Sequence, residues 1–368
     1  MKIVIAASSG ISLIQFRGEL IRAMAGRGHE VICISCEEPS EMEDRIRQLG
    51  AAYCQVPMSR TGTAPLEDLR TIRAFYRTLK ALSPDVFFAY MSKPVAYGGM
   101  AAKRLKIPHM FVLVSGLEIA FYSKGLKNAL VRFVLKTLFR NTHRACERVF
   151  FQNPDDLAVF LQTGVVSAAQ SVVVNGSGVD MNRFARKPLP QAPVVLMVAR
   201  LVWSKGIREY LRAAAIVRRQ NPAVRFLLVG GLDSNPESLR AEELEENIQN
   251  SVIEYCGHCE DVRPYLEQCS VFVLPSYHEG TPRCVLEAMA VGRPIVTTDA
   301  PGCRETVRDG DNGFLVPVGD GETLAQRILQ LAKDPQLRES MAQRSYEICR
   351  EKYDVKLVNA QMLKEMGL

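Results

Sequence analysis

Short apolar runs alternate with amphipathic helical patterns along the 368 residues of this chain. Continuous apolar runs predict strands buried on both faces, and their alternation with helices predicts parallel sheets covered by helices on both sides. In the first half, the predicted strands span residues 2–7, 30–36, 52–56, 85–91, 109–114, 148–152 and 171–174. In the second half, they span 194–199, 225–229, 252–256, 271–275, 294–298 and 314–316. The pattern therefore predicts an α/β protein built from two similar Rossmann-like halves.

Turn-forming residues are concentrated between the two halves, at 175–180 and 187–193. The length also fits two domains of about 180 residues each. We predict one Rossmann-like domain over residues 1–186 and a second over 187–354. The final helical pattern, within 355–368, is expected to cross back and pack on the first domain.

The net charge of +6 is unevenly distributed between the halves. Residues 1–185 contain 23 Lys and Arg against 15 Asp and Glu, whereas residues 186–368 contain 23 against 25. This asymmetry indicates an anionic partner for the first half, which could be phosphate, nucleic acid or a membrane face. Because the chain has no Lys/Arg tract and no basic strand interleaved with aromatic residues, we predict no nucleic-acid partner.

A basic stripe without acidic residues lies within residues 124–144. It consists of Lys124, Lys127, Arg132, Lys136, Arg140 and Arg144. Apolar residues between these positions predict a basic amphipathic helix, which can lie on anionic lipid. Alternatively, the apolar side packs on the domain core and the stripe is simply solvated.

The ten cysteines are scattered through apolar segments, which indicates a reducing cytoplasm. Two Cys-x-x-Cys pairs, Cys33 with Cys36 and Cys256 with Cys259, fall in different predicted domains, so we predict no shared zinc site. No secretory signal pattern or apolar run of roughly twenty residues is present. We therefore expect a cytoplasmic protein that is soluble or peripheral to the membrane.

Two carboxylates flank a predicted strand-to-helix connection after residue 276. Glu279 lies at the predicted strand end, and Glu287 lies about a turn and a half into a helix in which Pro282 is expected to be the first residue. Open α/β sheets bind ligands at the carboxyl ends of their strands, and Gly280 and the free amides of the helix start offer hydrogen-bond donors. This arrangement suits a nucleotide sugar, although two glutamates at this spacing are also common as a solvated pair.

Two cations follow the predicted strand 194–199, namely Arg200 and Lys205, with Lys205 expected to open the next helix. A diphosphate requires closely spaced cations, and this loop supplies an Arg and a Lys. An ordinary solvated loop is the alternative. Gly231 lies at the end of the next predicted strand, where a glycine either lets the backbone approach a ligand closely or simply makes a turn. Cys256 and Gly257 lie at the end of the following strand and would border a nucleotide base.

Several motifs follow one another in a characteristic order over residues 194–350. They are Arg200-x4-Lys205, Gly230-Gly231, Glu279-Gly280-Thr281-Pro282 with Glu287, Pro301-Gly302-x2-Glu305 and Gly310-x2-Gly313. This order resembles the C-terminal domain of family 4 retaining glycosyltransferases of the GT-B fold. The resemblance implies two Rossmann-like domains facing across a cleft, with the nucleotide sugar bound by the second domain. It further implies that Arg200 and Lys205 hold the diphosphate, Glu279 contacts the donor sugar and Glu287 binds the ribose hydroxyls. Gly280, Thr281, Pro282 and Arg283, between the two glutamates, are included in the predicted substrate site.

A second group of motifs lies in the first half and after the glycine pair. It comprises Gly10, Phe16-Arg17, Ser59-Arg60, Lys93, Gly116-Leu117, the segment 130–133 and Asp233-x-Asn235-Pro236. Within family 4, these motifs resemble the α-1,3-N-acetylgalactosaminyltransferases that act on undecaprenyl-diphosphate-linked sugars. The resemblance implies transfer of GalNAc from UDP-GalNAc to a polyprenyl-diphosphate-linked acceptor at the inner face of the cell membrane. Arg17, Arg60 and Lys93 are the candidate ligands of the acceptor diphosphate. The helix that begins near Gly10 could meet the donor phosphate or the acceptor with its amino end, and Gly10 and Gly116 are included in the predicted substrate site.

No cofactor and no metal are predicted, because two cationic side chains can stabilise the departing diphosphate. The Asp-x-Asp of Asp309 and Asp311 lies in a turn-rich segment and is interpreted as structural. Many family members have a His in the loop that corresponds to residues 114–118, where this chain has Ser115 and Glu118 instead. Two alternatives stay open: a UDP-N-acetylglucosamine 2-epimerase, and a nucleotide-sugar-binding module without turnover.

Overall fold

The computed structural model describes residues 1–59, 65–115, 137, 139–232 and 238–368. These residues divide into two compact units. Unit 1 contains Met1–Ser177 together with Val358–Leu368, and unit 2 contains Gly178–Leu357. The sequence-based boundary near residue 186 falls a short distance after the change from unit 1 to unit 2.

Unit 1 contains a parallel sheet of seven strands in the order β3-β2-β1-β4-β5-β6-β7. The strands are β1 Lys2–Ala6, β2 Glu30–Ser35, β3 Ala52–Gln55, β4 Val86–Tyr90, β5 His109–Val114, β6 Arg148–Phe151 and β7 Ser171–Val173. The described helices are α1 Gly10–Gly26, α2 Pro39–Arg47, α3 Pro65–Leu82, α4 Gly99–Leu105 with a π turn at Pro94–Gly98 before it, a helical segment at 139–143, and α5 Pro154–Gln162. All seven strands predicted for this half are thereby confirmed.

Unit 2 contains a parallel sheet of six strands in the order β10-β9-β8-β11-β12-β13. The strands are β8 Val194–Val198, β9 Arg225–Val229, β10 Glu254–Tyr255, β11 Val271–Leu274, β12 Ile295–Thr298 and β13 Gly313–Val316. The helices are α6 Ile207–Gln220, α7 Ala241–Gln249, α8 Arg263–Gln268, α9 Arg283–Val291, α10 Gly321–Lys333 and α11 Pro335–Ile348, with a π turn at Cys349–Tyr353. The last helix, α12 Val355–Met366, begins in unit 2 and belongs to unit 1 from Val358 onward. The prediction of two Rossmann-like parallel-sheet domains is confirmed.

The core of unit 1 lies on both faces of its sheet, because successive side chains of a strand point to opposite faces. Val4 and Ala6 of β1 pack against one set of helices, whereas Ile3 and Ile5 pack against another. Met362, Leu363 and Met366 of α12 belong to this second layer and are at most 5% exposed. Each such side chain contributes about 1.5–3 kcal/mol through its burial.

The strand order of unit 2 reverses between β8 and β11, where connections leave the sheet in opposite directions. Such a switch point leaves an opening at the carboxyl ends of the two strands, which is where open α/β sheets bind ligands. The loops after β8 and β11 contain Lys205 and Glu279, respectively. The topology therefore places the predicted donor residues at the expected edge of the sheet.

Two helix starts differ from the sequence prediction. Lys205 does not open a helix: it ends a short 3-10 turn, Trp203–Lys205, and α6 starts at Ile207 after Gly206. Gly206 has a φ of +75°, and a Cβ there would lie 2.0 Å from the carbonyl oxygen of Pro275, so this close approach requires glycine. Pro282 is the N-cap residue of α9 and not its first helical residue.

Arg293 closes the carboxyl end of α9 from a fully buried position. Its guanidinium donates hydrogen bonds to the carbonyl groups of Lys187, Pro188, Leu266, Glu267, Val291 and Gly292. Buried backbone acceptors are costly when unpaired, so one arginine satisfies several segments at once. This side chain fixes the far end of the helix that contains Arg283 and Glu287.

No described helix combines the length and the apolar character that crossing a membrane requires.

Candidate functional site

The loops after β8 and β11 are bonded to each other through their backbones. The N–H of Tyr277 donates to the carbonyl oxygen of Ser204 at 2.9 Å, and the hydroxyl of Ser276 donates to the same oxygen at 3.1 Å. A threonine of β12, Thr298, donates to the carbonyl of Ser276. Three strand ends therefore hold one another in place at the switch point.

Lys205 and Glu279 form an ion pair at this point. The Nζ of Lys205 lies 2.6 Å from the Oε1 of Glu279, and the two side chains are 19% and 15% exposed. A pair this sheltered from water keeps a stronger electrostatic interaction than one on the open surface. The two loops therefore place an ammonium and a carboxylate side by side at the switch point.

The backbone of Glu279 contacts the loop that follows β12. Its N–H donates to the carbonyl oxygen of Pro301 at 2.9 Å. Gly302 has a φ of +78°, and a Cβ there would lie 2.1 Å from the carbonyl oxygen of Glu279. The Pro301-Gly302 pair found in the sequence therefore supports Glu279 through direct backbone contact.

We expect Gly302→Ala to lower enzymatic activity about 10²-fold, because the added Cβ must push the Glu279 loop away and a shift of about 1 Å can cost that much. Gly310→Ala is the matched control, since Gly310 has a φ of +79° and nothing lies within 4 Å of its ideal Cβ. Both variants carry a similar left-handed strain of about 1–2 kcal/mol. Steady-state kinetics and thermal unfolding of the two variants check this, and equal activities would contradict the supporting role of Gly302.

Arg283 and Glu287 form a second sheltered pair, one helical turn apart on α9. The Nε of Arg283 lies 2.8 Å from the Oε1 of Glu287, and the side chains are 18% and 12% exposed. Burial raises the pKa of Glu287 above its ordinary value, while the charge of Arg283 and its hydrogen bond oppose that rise. Arg183 also lowers this pKa, and Asp261 raises it. Arg283 is thus the main group that opposes the rise of this pKa.

We expect Arg283→Met to destabilise unit 2 by about 3 kcal/mol at neutral pH, since it leaves a buried carboxylate without its partner. An acid whose folded pKa is raised binds more protons in the folded than in the unfolded state, so its stability contribution is lost as the pH rises through the folded pKa. The loss caused by Arg283→Met is therefore expected to be smaller near pH 4.5, the ordinary pKa of glutamate. Urea unfolding at both pH values measures it.

Arg225→Met provides the control for that measurement. Arg225 and Glu254 form an ion pair at 2.6 Å with side chains 47% and 46% exposed. The expected loss is about 0.5 kcal/mol, because exposed pairs are screened by water. Equal losses for the two variants would contradict the buried role of Arg283.

Cys284 lies between the two carboxylates, and sequence analysis did not single it out. Burial raises the pKa of its thiol, and the charges of Glu279 and Glu287 raise it further. The signal available in the sequence was its position in the start of α9, between the predicted donor ligands.

The remaining residues predicted for the donor lie on adjacent strand ends. Gly231 accepts a hydrogen bond from the N–H of Leu201 at 3.3 Å, and Gly257 accepts one from Gly230 at 2.9 Å. The N–H of Cys256 donates to Leu228 at 2.9 Å. Gly280, Thr281 and Pro282 are buried in the loop before α9, and Arg200 lies just beyond β8 with an exposed side chain. Their contacts with a donor, and the role of Arg200 beside Lys205, stay predictions.

Three described residues of the predicted substrate site in the first half contact side chains of unit 1. The N–H of Gly10 donates to the Oε2 of Glu37 at 2.8 Å, so a carboxylate already occupies this amino end of α1, where negative charge is stabilised. Lys93 pairs with Asp68 at 3.0 Å. Arg17 is only 2% exposed and its guanidinium lies 5.4 Å from the ring centroid of Tyr90.

Several predicted residues lie outside the described part of the chain. They are Arg60, Gly116, Leu117, Glu118, Asp233, Asn235, Pro236 and residues 124–136 of the basic stripe.

Asp309 and Asp311 each have a structural contact. An oxygen of Asp309 accepts the N–H of Leu315 at 2.9 Å, and Asp311 pairs with Arg344 at 3.0 Å. Across the described ranges, no three His, Cys, Asp or Glu side chains are grouped as metal ligands.

Comparison with known proteins identifies the class. Residues 15–176 match the family model of the glycosyl transferase 4-like domain, and residues 192–334 match that of glycosyl transferases group 1. Anabaena HepE, solved in complex with UDP and glucose, has the same fold, with a TM-score of 0.79, 21% identity and coverage of 100% of this chain and 99% of HepE. The two units thus have the GT-B fold of glycosyltransferases.

Two relatives define the family further. The N,N'-diacetylbacillosaminyl-diphospho-undecaprenol alpha-1,3-N-acetylgalactosaminyltransferase of Campylobacter jejuni is 30% identical over 99% of this chain and 98% of its own length. The capsular polysaccharide biosynthesis glycosyltransferase CapM of Staphylococcus aureus is 24% identical over 77% of this chain and 80% of CapM. The chain belongs to glycosyltransferase family 4.

Proposed function

We propose that this glycosyltransferase moves an N-acetylhexosamine, GalNAc from UDP-GalNAc, to a sugar linked to undecaprenyl diphosphate, with retention at the anomeric carbon. The observation that carries the proposal is the similarity to the Campylobacter jejuni enzyme, at 30% identity over 99% of this chain. The UDP-bound structure of Anabaena HepE, which shares the fold, supports a UDP-sugar donor. The proposed transfer would be a step in the assembly of a bacterial glycan.

The donor diphosphate would lie beside Lys205, with Arg200 as the second cation. As the bond from the anomeric carbon to the phosphate breaks, negative charge grows on the β-phosphate. A fixed ammonium stabilises this charge more than it stabilises the ground state, so it lowers the barrier. Lys205 is held at 2.6 Å by Glu279, which fixes its Nζ within the site.

Glu279 would orient the donor sugar and steady the positive charge that develops at the anomeric carbon. The departing phosphate oxygen would accept the proton of the acceptor hydroxyl on the same face of the sugar, so that retention requires no protein base. Glu287 would accept hydrogen bonds from the two ribose hydroxyls, as an ionised carboxylate does. Since cationic side chains stabilise the leaving group, the proposal includes no metal.

The acceptor would be bound by unit 1, and the enzyme would be peripheral at the inner face of the membrane. The proposed membrane contact is the basic helix over residues 124–144. At its described end, Phe139 is buried in the core of unit 1, whereas Arg140 and Arg144 are exposed. Both the lipid-bound helix and the solvated alternative have this arrangement.

The decisive experiment incubates the full chain with a panel of radiolabelled UDP-sugars and short-chain polyprenyl-diphosphate sugars in the presence of EDTA. We expect label from UDP-GalNAc in the lipid-linked product, with an α linkage by NMR. Transfer from a different UDP-sugar only would show that the donor sugar is not GalNAc. A β linkage in the product would contradict retention at the anomeric carbon. Activity that is lost in EDTA and restored only by Mn²⁺ would contradict a metal-independent reaction. Conversion of the free UDP-sugar without acceptor would favour the epimerase, whereas UDP binding without UDP release would favour the binding module.

A further inference from the structure

Unit 1 has a switch point of its own, between β1 and β4. Its sheet order, β3-β2-β1-β4-β5-β6-β7, places these two strands side by side, and the connections that follow them leave the sheet in opposite directions. Open α/β sheets bind ligands outside the carboxyl ends of the strands at such a point. The residues that follow β1 and β4 are therefore the place where unit 1 is expected to hold a ligand.

The amino end of α1, which follows β1, is filled by a carboxylate of the chain itself. Glu37 is 8% exposed, and its Oε2 accepts the N–H of Gly10 at 2.8 Å and the hydroxyl of Ser35 at 2.7 Å. A helix start stabilises one anion, and here that anion is Glu37. Because a phosphate would be repelled by this carboxylate, the anionic group of a ligand requires a cation elsewhere at the switch point.

Lys93, the third residue after β4, supplies that cation. Its Nζ donates to the Oγ of Ser59 at 2.5 Å and to the Oδ1 of Asp68 at 3.0 Å. Ser59 follows β3 and Asp68 lies in the first turn of α3, so both come from the same edge of the sheet. The side chains of Lys93 and Asp68 are 12% and 13% exposed. An ammonium has three N–H donors, and within the described part of the chain these two bonds leave one for a ligand.

The backbone on both sides of Lys93 is irregular. Met91 has a φ of +66°, a left-handed conformation that is unfavourable for a residue with a Cβ. The hydroxyl of Ser8 donates to the Sδ of Met91 at 3.2 Å. Pro94–Gly98 forms the π turn, a type of helix that is frequent at functional sites. Strained backbone persists where the surrounding fold holds it and is concentrated at ligand sites, so both features support a ligand site at Lys93.

Asp68 is itself held by Tyr97 of the π turn. Burial and a hydrogen bond to Asp68 raise the pKa of Tyr97 to about 12, so the hydroxyl keeps its proton at neutral pH and donates it to the carboxylate. A chain of contacts thus leads from Tyr97 through Asp68 to the ammonium of Lys93. The pair of Lys205 and Glu279 is a sheltered lysine–carboxylate pair of the same type at the switch point of unit 2.

We propose that Asp68 and Tyr97 are positioning residues for Lys93, and that Lys93 and Ser59 bind the diphosphate of the acceptor. This inference rests on the proposed function, which supplies a diphosphate-linked acceptor. The hydroxyl of Ser59, which accepts from Lys93, has its own proton to donate to a phosphate oxygen. An ammonium that is already oriented binds a phosphate oxygen more tightly than a mobile one, because less side-chain entropy is lost on binding. The enzyme would thereby select acceptors by their diphosphate.

The test compares two acceptors that carry the same sugar, a short-chain polyprenyl-diphosphate sugar and an alkyl glycoside without phosphate. We expect K93M to raise KM for the diphosphate acceptor about 30-fold, as loss of a hydrogen bond to a charged group does. For D68N we expect about 10-fold and for Y97F about threefold, since the ammonium keeps its charge but loses its orientation. KM for the donor stays unchanged. With the alkyl glycoside, all three variants are expected to match the wild type, which a merely structural role would not produce.

Two further variants make the test independent of folding. D68N/K93M removes both charges together, so no unpaired charge is left in a sheltered position. Because Asp68 acts through Lys93, we expect this double variant to bind the diphosphate acceptor as weakly as K93M and no more weakly. E365Q is the matched control, since Glu365 pairs with Arg148 in unit 1 at 2.9 Å, with side chains 31% and 39% exposed. We expect it to use both acceptors like the wild type.

Equal losses of D68N with the two acceptors would overturn the proposal, as would a double variant that is much worse than K93M. Binding of a fluorescent short-chain polyprenyl-diphosphate sugar, measured without donor, separates this inference from the proposed function. If the wild type binds this acceptor tightly and K93M and D68N bind it weakly, the diphosphate site stands even when no sugar is transferred. If transfer occurs and D68N equals the wild type at every acceptor concentration, the proposed function stands and this inference fails.

Discussion

Replacing Glu279 by alanine is expected to lower glycosyl transfer by about 10²–10³-fold, the range found when one fixed electrostatic contact to a transition state is removed. Glu279 is 15% exposed, pairs with Lys205 and is fixed by a backbone hydrogen bond to Pro301. Its carboxylate is therefore held in a fixed position before the donor binds. A water molecule in the space left by alanine would not supply the same fixed negative charge. We expect Glu279→Gln to lose nearly as much activity, because the amide keeps the size of the side chain but not its charge.

Glu322→Ala is the matched control for that variant. Glu322 also pairs with a cation at 2.6 Å, Arg212, but the two side chains are 66% and 61% exposed. Its loss is expected to leave transfer unchanged, since an exposed ion pair contributes little. Near-normal activity of Glu279→Ala, with circular dichroism showing an intact fold, would contradict the role assigned to Glu279.

Replacing Lys205 by alanine is expected to have a comparably large effect, about 10²–10³-fold and mainly on kcat. The ammonium is needed most when the phosphate leaves, so its removal costs more in the transition state than in the bound donor. Lys205→Arg should recover part of the rate, because the charge is kept while its geometry changes. Measurement of kcat and KM for the donor separates the two contributions, and a change in KM alone would contradict a leaving-group role.

The two substitutions are also expected to be non-additive. Lys205 and Glu279 are joined directly, so each single variant already disrupts the position of the other side chain. The double variant should therefore be little worse than the worse single variant. Lys187→Ala serves as the control for loss of a paired lysine, since Lys187 and Glu267 are 46% and 47% exposed.

The strands of both sheets were predictable because buried parallel strands are almost continuously apolar. The position of Glu279 followed from the same pattern, since the loop that leaves the carboxyl end of such a strand lies at the sheet edge. The start of α6 was not predictable, because the left-handed conformation of Gly206 depends on contact with Pro275 in a distant strand end. The pairing of Arg283 with Glu287 was not predicted: a spacing of four residues on a helix permits such a pair, but it does not show that the pair is buried.

The side-chain contacts of the substrate residues predicted for unit 1 could not be predicted from the sequence. Gly10 was predicted as a substrate ligand, and nothing in the sequence indicated that its N–H donates to Glu37, just beyond the end of the next strand. Lys93 and Asp68 are brought together by the packing of α3 and the π turn, with no regular spacing to signal the pair. The hydrogen bonds of Arg293 were likewise not predictable from the sequence, because its six carbonyl acceptors belong to separate segments of the backbone.

The position of α12 has a consequence for how the protein is made. Met362, Leu363 and Met366 fill the layer beside Ile3 and Ile5, from which the whole of unit 2 separates them along the chain. During translation, this face of the N-terminal sheet therefore stays exposed to water until the ribosome has synthesised all of unit 2 and then α12. A shortened product ending at Ser177 would therefore leave an apolar surface uncovered and would depend on chaperones to avoid aggregation.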